Sequence, residues 1–307
     1  MNTIQKALIL VTLALLLTIS AMAQIKPTAT YEYVKRDSSL YLDFYKSANS
    51  AENYTVVFVF GGGFISGSRN EEYYMPYYAK LVENNFNVVA IDYRLGLKGV
   101  KGISAVNRKP LEDAIAMAAE DLITATKYLI DHEKELQIDT RKLITSGSSA
   151  GAITVLQADY ELCNRTKIGQ ILPEGFRYAG VMSFAGAIYS KNGKVKYRKQ
   201  APAPTMMLHG TADRLVTYKQ IKLFNVGFIG SSKIAPRFEK YGYPYYIVRY
   251  EDLGHEVAVR MLYDFDKTMW FIDNYIVRGA KIKRDDFIND PTIERLKFGS
   301  AKPSDLY

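Results

Sequence analysis

The chain has 307 residues, 48% of them hydrophobic, which is enough for one large α/β domain or two small ones. Its formal net charge is +8, but the basic residues are spread along the chain and no RNA- or DNA-binding motif accompanies the clusters at 191–199 and 281–284. We therefore expect no nucleic-acid partner. The single cysteine, Cys163, excludes an internal disulfide and is expected to be a buried structural thiol.

The first residues have the composition of a secretory signal. Lys6 precedes an apolar run from Ala7 to Leu17, and Ala21-Met22-Ala23 places small residues where a signal peptidase reads them. The run is shorter than the ~20 residues that a spanning helix needs, and no cysteine follows it that could carry a lipid anchor. We expect residues 1–23 to be cleaved before Gln24, and the mature protein to be periplasmic or extracellular without stable membrane insertion.

The rest of the chain alternates between apolar runs of strand length and segments of helical spacing. Two alternating segments, 31–34 and 40–44, flank a turn and predict an antiparallel hairpin. Further strands are predicted at 56–60, 86–93, 143–148, 178–184, 204–209 and 245–250, and helices at 77–84, 111–135, directly after 149, 218–226 and 257–277.

This alternation predicts an α/β fold, with a mostly parallel central sheet, helices on both faces and an N-terminal antiparallel hairpin. No repeat or long linker interrupts residues 24–307, which are predicted to form one domain. Its polar C-terminal extension, 279–307, is expected to form a short helix near 292–296 or to lie along the surface. The segments 185–202 and 231–243 are the only insertions able to cap a site, and their shortness indicates an open cleft.

A candidate nucleophile lies in Gly147-Ser148-Ser149-Ala150-Gly151, which follows a predicted strand and precedes a predicted helix. This is the G-x-S-x-G pattern, in which a tight turn lifts the central serine hydroxyl away from the sheet. Glycines flank it because neighbouring backbones approach too closely for a Cβ atom. The pattern is short, and a glycine-rich strand-to-helix turn with no catalytic role could have the same sequence.

A candidate acid and base follow two other strands. Asp213 comes after the strand at 204–209 and His255 after the strand at 245–250, and in such sheets ligands bind at the carboxyl ends of the strands. The chain order Ser149, Asp213, His255 is that of an α/β hydrolase. Serine needs a neighbouring imidazole to accept its proton, and the imidazole needs a carboxylate to fix its tautomer.

The other candidates for these roles fit less well. Glu251 and Asp252 are too close in sequence to His255 for an ordinary hydrogen bond to it, and Glu256 is expected to be structural or exposed. Of the other histidines, His132 lies on a polar helix end, and His209 is expected to support the loop of Asp213.

From Tyr54 to Val277 the chain resembles the secreted esterase and lipase branch of the α/β-hydrolase superfamily. The resemblance rests on the following motifs: Gly61-Gly62-Gly63-Phe64, Asp92-Tyr93-Arg94-Leu95, Gly147-Ser148-Ser149-Ala150-Gly151, His209-Gly210-Thr211-Ala212-Asp213 and Gly254-His255-Glu256. It implies hydrolysis of carboxylic esters through an acyl-serine intermediate, without a cofactor. No paired histidines or cysteines stand at metal-ligand spacing, so no metal is expected either.

The resemblance also assigns the oxyanion hole, with one departure from the family pattern. The backbone N–H groups of Gly62, Gly63 and Ala150 are the expected donors, although three glycines could also form only a mobile loop. Phe60 stands where the family commonly carries a histidine that supports this loop.

The sequence thus predicts an exported serine carboxylesterase acting on a small-molecule or carbohydrate-linked ester, with acetyl and feruloyl groups as reasonable acyl groups. Tyr73, Tyr74, Tyr77 and Tyr78 could wall its pocket or, more simply, pack a helix. Two alternatives stay open. One is a peptidase-like hydrolase that cleaves amides, and the other is a binding protein of the same fold that has lost catalysis.

Overall fold

A computed structural model describes residues 25–48, 50–102, 107–191, 193–223 and 226–305. The predicted signal segment, residues 1–23, lies outside these ranges. The strands are β1 (Ala29–Lys35), β2 (Ser39–Tyr45), β3 (Thr55–Val59), β4 (Asn87–Ile91), β5 (Leu143–Ser148), β6 (Gly180–Phe184), β7 (Ala187–Ser190), β8 (Thr205–Gly210), β9 (Gln220–Leu223), β10 (Val226–Gly230), β11 (Tyr245–Tyr250) and β12 (Lys283–Ile288).

Within the described ranges, nine strands form the main sheet in the order β1-β2-β4-β3-β5-β6-β8-β11-β12. The hairpin β1-β2 joins it through an antiparallel pairing of β2 with β4, and every later pairing is parallel. All residues of β3, β4, β5, β6 and β8 are buried, as continuous apolar runs covered on both faces require. The predicted α/β fold with its N-terminal hairpin is confirmed.

Helices cover both faces of this sheet. They are α1 (Met75–Glu83), α2 (Lys109–Asp131), α3 (Glu133–Leu136), α4 (Ala150–Asn164), α5 (Ser231–Tyr241) and α6 (Phe265–Phe271). The connection β3-α1-β4 runs toward one edge and β4-α2-β5 toward the other, so right-handed crossovers place α1 and α2 on opposite faces. Accordingly α1 packs on α6 through Tyr77 and Phe265, whereas α2 packs on α4.

Three predictions in the C-terminal half were wrong. Within the predicted helix at 218–226, residues 220–223 form β9 and residue 226 begins β10; β10 pairs with β9 on one side and β7 on the other in a separate three-stranded antiparallel sheet. The segment 257–277 is not one helix but a 3₁₀ turn (His255–Val259), α6 and a π-helical turn (Ile272–Val277). The polar extension contains β12, so β11 is not the last strand. Of the two alternatives for 292–296, these residues lie along the surface without a helix, and a 3₁₀ turn follows at Lys297–Ser300.

A buried carboxylate ties α2 to the loop after β4. Asp121 has a fully buried side chain and accepts hydrogen bonds from the backbone N–H of Arg94 at 2.8 Å and from its guanidinium at 2.9 and 3.0 Å. Burial raises the pKa of Asp121, and these hydrogen bonds oppose the rise. The Asp92-Tyr93-Arg94 segment is therefore anchored to the helix layer.

Candidate active site

The serine of the G-x-S-x-G pattern lies at the junction of β5 and α4. Ser149 has φ 53° and ψ −114°, and the next residue, Ala150, begins the helix. A Cβ atom at Gly147 would lie 2.3 Å from the carbonyl oxygen of Gly151, and one at Gly151 would lie 2.0 Å from the carbonyl oxygen of Val59. Both glycines are thus required by close backbone contacts, and Ser149 is held in a conformation that costs ~1–3 kcal/mol.

Ser149, His255 and Asp213 form a continuous hydrogen-bonded row. The Oγ atom of Ser149 lies 2.7 Å from Nε2 of His255, and Nδ1 of His255 lies 2.8 Å from Oδ2 of Asp213. A carboxylate can only accept, so Nδ1 carries the imidazole hydrogen and Nε2 has a lone pair for the serine hydroxyl. The row can therefore move a proton from Ser149 to His255.

Asp213 is held in its charged form by four donors. Its Oδ1 atom accepts the backbone N–H groups of Leu215 at 2.9 Å and Val216 at 3.0 Å, while Oδ2 receives His255 and lies 3.4 Å from Nε2 of His209. Burial alone would raise the pKa of Asp213, but hydrogen bonds from His209 and His255 outweigh it and keep that pKa below its usual range. The carboxylate therefore stays negative beside the imidazole.

His209 lies behind this carboxylate, fully buried. Its Nε2 atom shares one hydrogen between the carbonyl oxygen of Val216 at 3.0 Å and Oδ2 of Asp213 at 3.4 Å, and its Nδ1 atom pairs with the hydroxyl of Ser231 at 2.8 Å. Nε2 must carry the hydrogen, because a carbonyl can only accept. His209 thus ties the Asp213 loop to the start of α5.

The competing carboxylates near His255 have other partners. Asp252 is exposed and lies 4.0 Å from the guanidinium of Arg295. Glu256 is 3% exposed and accepts the backbone N–H of Gly254 at 2.9 Å. Of these groups, Asp213 is the one that bonds the imidazole of His255.

The glycine loop after β3 lies against the serine turn. A Cβ atom at Gly61 would be 3.1 Å from the carbonyl oxygen of Ser148 and 3.3 Å from Cβ of Ser149. Gly62 and Gly63 have φ values of 103° and 65°, and a Cβ at Gly62 would lie 2.0 Å from the carbonyl oxygen of Ser66. Only glycine fits this tight turn. The glycines therefore allow the loop to adopt this backbone conformation beside Ser149.

Phe60 replaces the expected histidine with apolar packing. Its ring is 2% exposed and stacks on Tyr93, with ring centroids 4.4 Å apart. The Tyr93 hydroxyl lies 3.2 Å from the carbonyl oxygens of both Phe60 and Gly61, and Gly67 passes so close to the Phe60 ring that a Cβ would approach it to 2.6 Å. The loop is thus supported without a histidine.

The C-terminal extension packs on the turn that carries His255. A Cβ atom at Gly299 would lie 1.9 Å from Oε2 of Glu256, and one at Gly254 would lie 1.8 Å from the carbonyl oxygen of Gly299. Gly299 is buried in this contact. The residues on either side of His255 are therefore held by a segment that the sequence did not connect with the site.

Sequence reasoning also missed two polar residues beneath the site. The hydroxyl of Tyr74 accepts the backbone N–H of Gly61 at 2.9 Å, and the hydroxyl of Ser148 donates to the carbonyl oxygen of Ala258 at 2.8 Å. Nothing in the sequence distinguishes Tyr74 from its neighbouring tyrosines. Tyr74, Tyr77 and Tyr78 are buried, and Tyr73 is 49% exposed, so this group packs α1 rather than walling an open pocket.

The remaining sequence candidates contribute no reactive group. Cys163 is buried, and burial raises the pKa of its thiol far above the usual value. Over the ranges that the structure describes, no three histidine, cysteine or acidic side chains gather where they could hold a metal ion. Among the helices in those same ranges, none is both long and apolar enough to cross a membrane.

Comparison with known proteins agrees with this architecture. The BD-FAE family model matches residues 42–168, which include the glycine loop and the Ser149 turn. The propionate-bound structure of an esterase from the Planctomycetes species Thermogutta terrifontis is 21% identical over 83% of this chain and 95% of its own, with a TM-score of 0.59. The same esterase phosphonylated by cyclosarin aligns over the same shares at 21% identity, with a TM-score of 0.57.

No curated protein sequence matches the chain. The chain thus shares the fold of these esterase structures, and the family model matches less than half of its length.

Proposed function

We propose that the protein is a serine hydrolase that cleaves carboxylic esters. The observation that carries this proposal is the row of Ser149, His255 and Asp213, with distances of 2.7 and 2.8 Å. Such a row generates a serine nucleophile at neutral pH.

In the first half of the reaction, Ser149 attacks the ester carbonyl carbon as His255 Nε2 takes the hydroxyl proton. The carbonyl oxygen becomes an anion that the N–H groups of Gly62, Gly63 and Ala150 stabilise; each such donor is worth about 10²–10³ in kcat. Ala150 suits this role because the first N–H groups of a helix have no partner within it. His255 then gives its proton to the leaving alcohol, which departs from the acyl-serine.

In the second half, His255 takes a proton from a water molecule that attacks the acyl-serine. The same three N–H groups hold the second oxyanion. Collapse releases the carboxylic acid, and His255 returns the proton to Ser149. Asp213 stays charged throughout and stabilises the imidazolium formed in each half.

The comparisons support this assignment. The structural neighbour from Thermogutta terrifontis is an esterase, and it has been observed with propionate and with butyrate bound. It is also phosphonylated by cyclosarin, and such reagents modify nucleophilic serines. The neighbour is similar in fold, and the assignment to this chain rests on its own row of residues.

The test is hydrolysis of p-nitrophenyl acetate and butyrate by the purified protein and by a Ser149→Ala variant. We expect turnover by the wild type and a loss of at least about 10³-fold in the variant. Equal rates would exclude Ser149 as the nucleophile. Hydrolysis of peptide p-nitroanilides without any ester hydrolysis would favour amide cleavage, and failure to label with a fluorophosphonate would favour a binding protein.

For the substrate we propose acetyl or feruloyl esters of carbohydrates. The support is the shortness of the two insertions, whose elements are the four-residue β7 and the eleven-residue α5. The test compares acetylated xylan, methyl ferulate and a feruloylated arabinoside with p-nitrophenyl acetate. A preference for free short-chain esters over every carbohydrate ester would refute this refinement.

We also propose that the protein is exported and that residues 24–307 form one domain. The support is the composition of residues 1–23 and the addition of β12 to the main sheet. N-terminal sequencing of the protein from cell fractions should begin at Gln24 in the exported fraction. Limited proteolysis should release no separately stable fragment, and an uncleaved cytoplasmic product would contradict export.

A further inference from the structure

Two buried side chains connect the three elements that make up the site. The Tyr74 hydroxyl, before α1, accepts the N–H of Gly61 in the glycine loop at 2.9 Å. The Ser148 hydroxyl, next to the nucleophile, donates to the carbonyl oxygen of Ala258 in the turn that begins at His255, at 2.8 Å. Tyr74 and Ser148 are 5% and 2% exposed, so water does not replace these contacts.

The polarity of each contact is fixed by its partner. An N–H group can only donate, so the Tyr74 oxygen accepts the hydrogen bond from Gly61. A carbonyl oxygen can only accept, so the Ser148 hydroxyl donates its hydrogen to Ala258. Burial raises the pKa of the Tyr74 phenol, with the hydrogen bond from Gly61 opposing the rise. Tyr74 and Ser148 therefore hold two different segments, the glycine loop and the turn that begins at His255.

We propose that Tyr74 and Ser148 are positioning residues, Tyr74 for the oxyanion loop and Ser148 for the base-bearing turn beside Ser149. The inference rests on the proposed ester hydrolysis. Tyr74 holds the first N–H of the loop away from the substrate, which sets the peptide planes of Gly62 and Gly63. Ser148 holds the turn three residues after His255. Both act through the backbone and contact no reacting atom.

The chain provides a matched comparison in Tyr77. This residue is also fully buried, and its hydroxyl lies 3.5 Å from that of Ser146, two residues before Ser148 on the same strand. Tyr77 packs against Phe58 and Phe184. Removing its hydroxyl changes the same layer of the core but leaves the Gly61–Tyr74 and Ser148–Ala258 hydrogen bonds intact.

The experiment measures kcat and KM for p-nitrophenyl butyrate in Tyr74→Phe, Ser148→Ala, the double variant and Tyr77→Phe. We expect kcat to fall about tenfold to a hundredfold in Tyr74→Phe and in Ser148→Ala, with KM within about twofold, because misplacement acts on the transition state. The double variant should have a lower kcat than either single variant, since the two residues hold different segments. Tyr77→Phe should retain wild-type kcat.

A boronic acid that forms a tetrahedral adduct with serine supplies the second readout. Its inhibition constant should rise in proportion to the loss of kcat in Tyr74→Phe, because the adduct uses the oxyanion donors and a substrate ground state does not. Wild-type kcat in Tyr74→Phe, or an equal loss in Tyr77→Phe, would overturn the inference. If Tyr74→Phe does not fold, Ser148→Ala tests the positioning of the base-bearing turn by itself, and wild-type kcat in that variant would overturn the inference. An inactive wild type would instead refute the proposed function.

Discussion

Asp159 provides a pH-dependent test of how the core tolerates a buried carboxyl group. This residue of α4 is 2% exposed, and its Oδ1 atom has only distant partners, the Ala203 N–H at 3.5 Å and the Cys163 thiol at 3.8 Å. Burial raises the pKa of Asp159 to about 7, although Ala203 and Arg177 favour the charged form. The native state therefore binds a proton that the unfolded chain has released.

The sign of the effect follows from the two pKa values. The pKa of Asp159 is higher in the folded protein than its unfolded value of 3.8. The contribution of the neutral carboxyl group to the free energy of unfolding is therefore complete below pH 3.8 and is lost as the pH rises through 7. The full difference corresponds to about 4 kcal/mol, of which about 2.5 kcal/mol falls between pH 5 and pH 8. An Asp159→Asn variant has no such titration.

Urea unfolding of the wild type and Asp159→Asn at pH 5, 6, 7 and 8 measures this directly. Between pH 5 and pH 8, the free energy of unfolding of the wild type should fall by about 2.5 kcal/mol relative to that of the variant. Asp273→Asn, a change at an exposed carboxyl on the π-helical turn, is the control and should follow the wild type. A constant difference between Asp159→Asn and the wild type across this range would refute the reasoning.

Three further substitutions test contacts around the site. Gly151→Ala places a Cβ 2.0 Å from a β3 carbonyl and should cost about 3 kcal/mol of unfolding free energy; an unchanged urea midpoint would contradict this. Arg94→Gln removes the closer of two cations beside buried Asp121, leaving Arg36 at 3.5 Å, and should cost about 1.5–3 kcal/mol, seen as a lower Tm; a wild-type Tm would count against it. Gly299→Ala should lower kcat about tenfold by displacing the base turn, whereas the exposed neighbour Ser300→Ala should not; equal kcat in both would show that the contact does not matter.

The central sheet could be predicted because its strands are apolar without interruption. A run such as Val56 to Phe60 has few alternatives to a strand buried on both faces. The strands that were missed lack this property. β12 reads Lys-Arg-Asp-Asp-Phe-Ile because it is an exposed edge, where charged side chains prevent further pairing. β9 and β10 depend on pairing with β7, which local sequence does not encode.

For the site, the sequence predicted the groups whose chemistry requires a particular residue type. Ser149, Asp213 and His255 each follow a different strand, and the structure brings them into one row. The supporting contacts could not be predicted. Tyr74 and Gly299 act through backbone atoms of distant residues, and a tyrosine among tyrosines or a glycine in a polar tail has no distinguishing pattern. Phe60 was recognised only as a departure, and its stacking on Tyr93 is what explains it.

The packing of Gly299 on Gly254 and Glu256 has a consequence for how the protein becomes active during synthesis. The glycine loop and the Ser149 turn belong to a part of the sheet whose strands are made early. The turn that presents His255 gains its backing only after β12 and residue 299 have been translated and folded. Under the proposed function, the Ser149 turn therefore forms before the turn of His255 is held in place, and ester hydrolysis should begin only when these last contacts have formed.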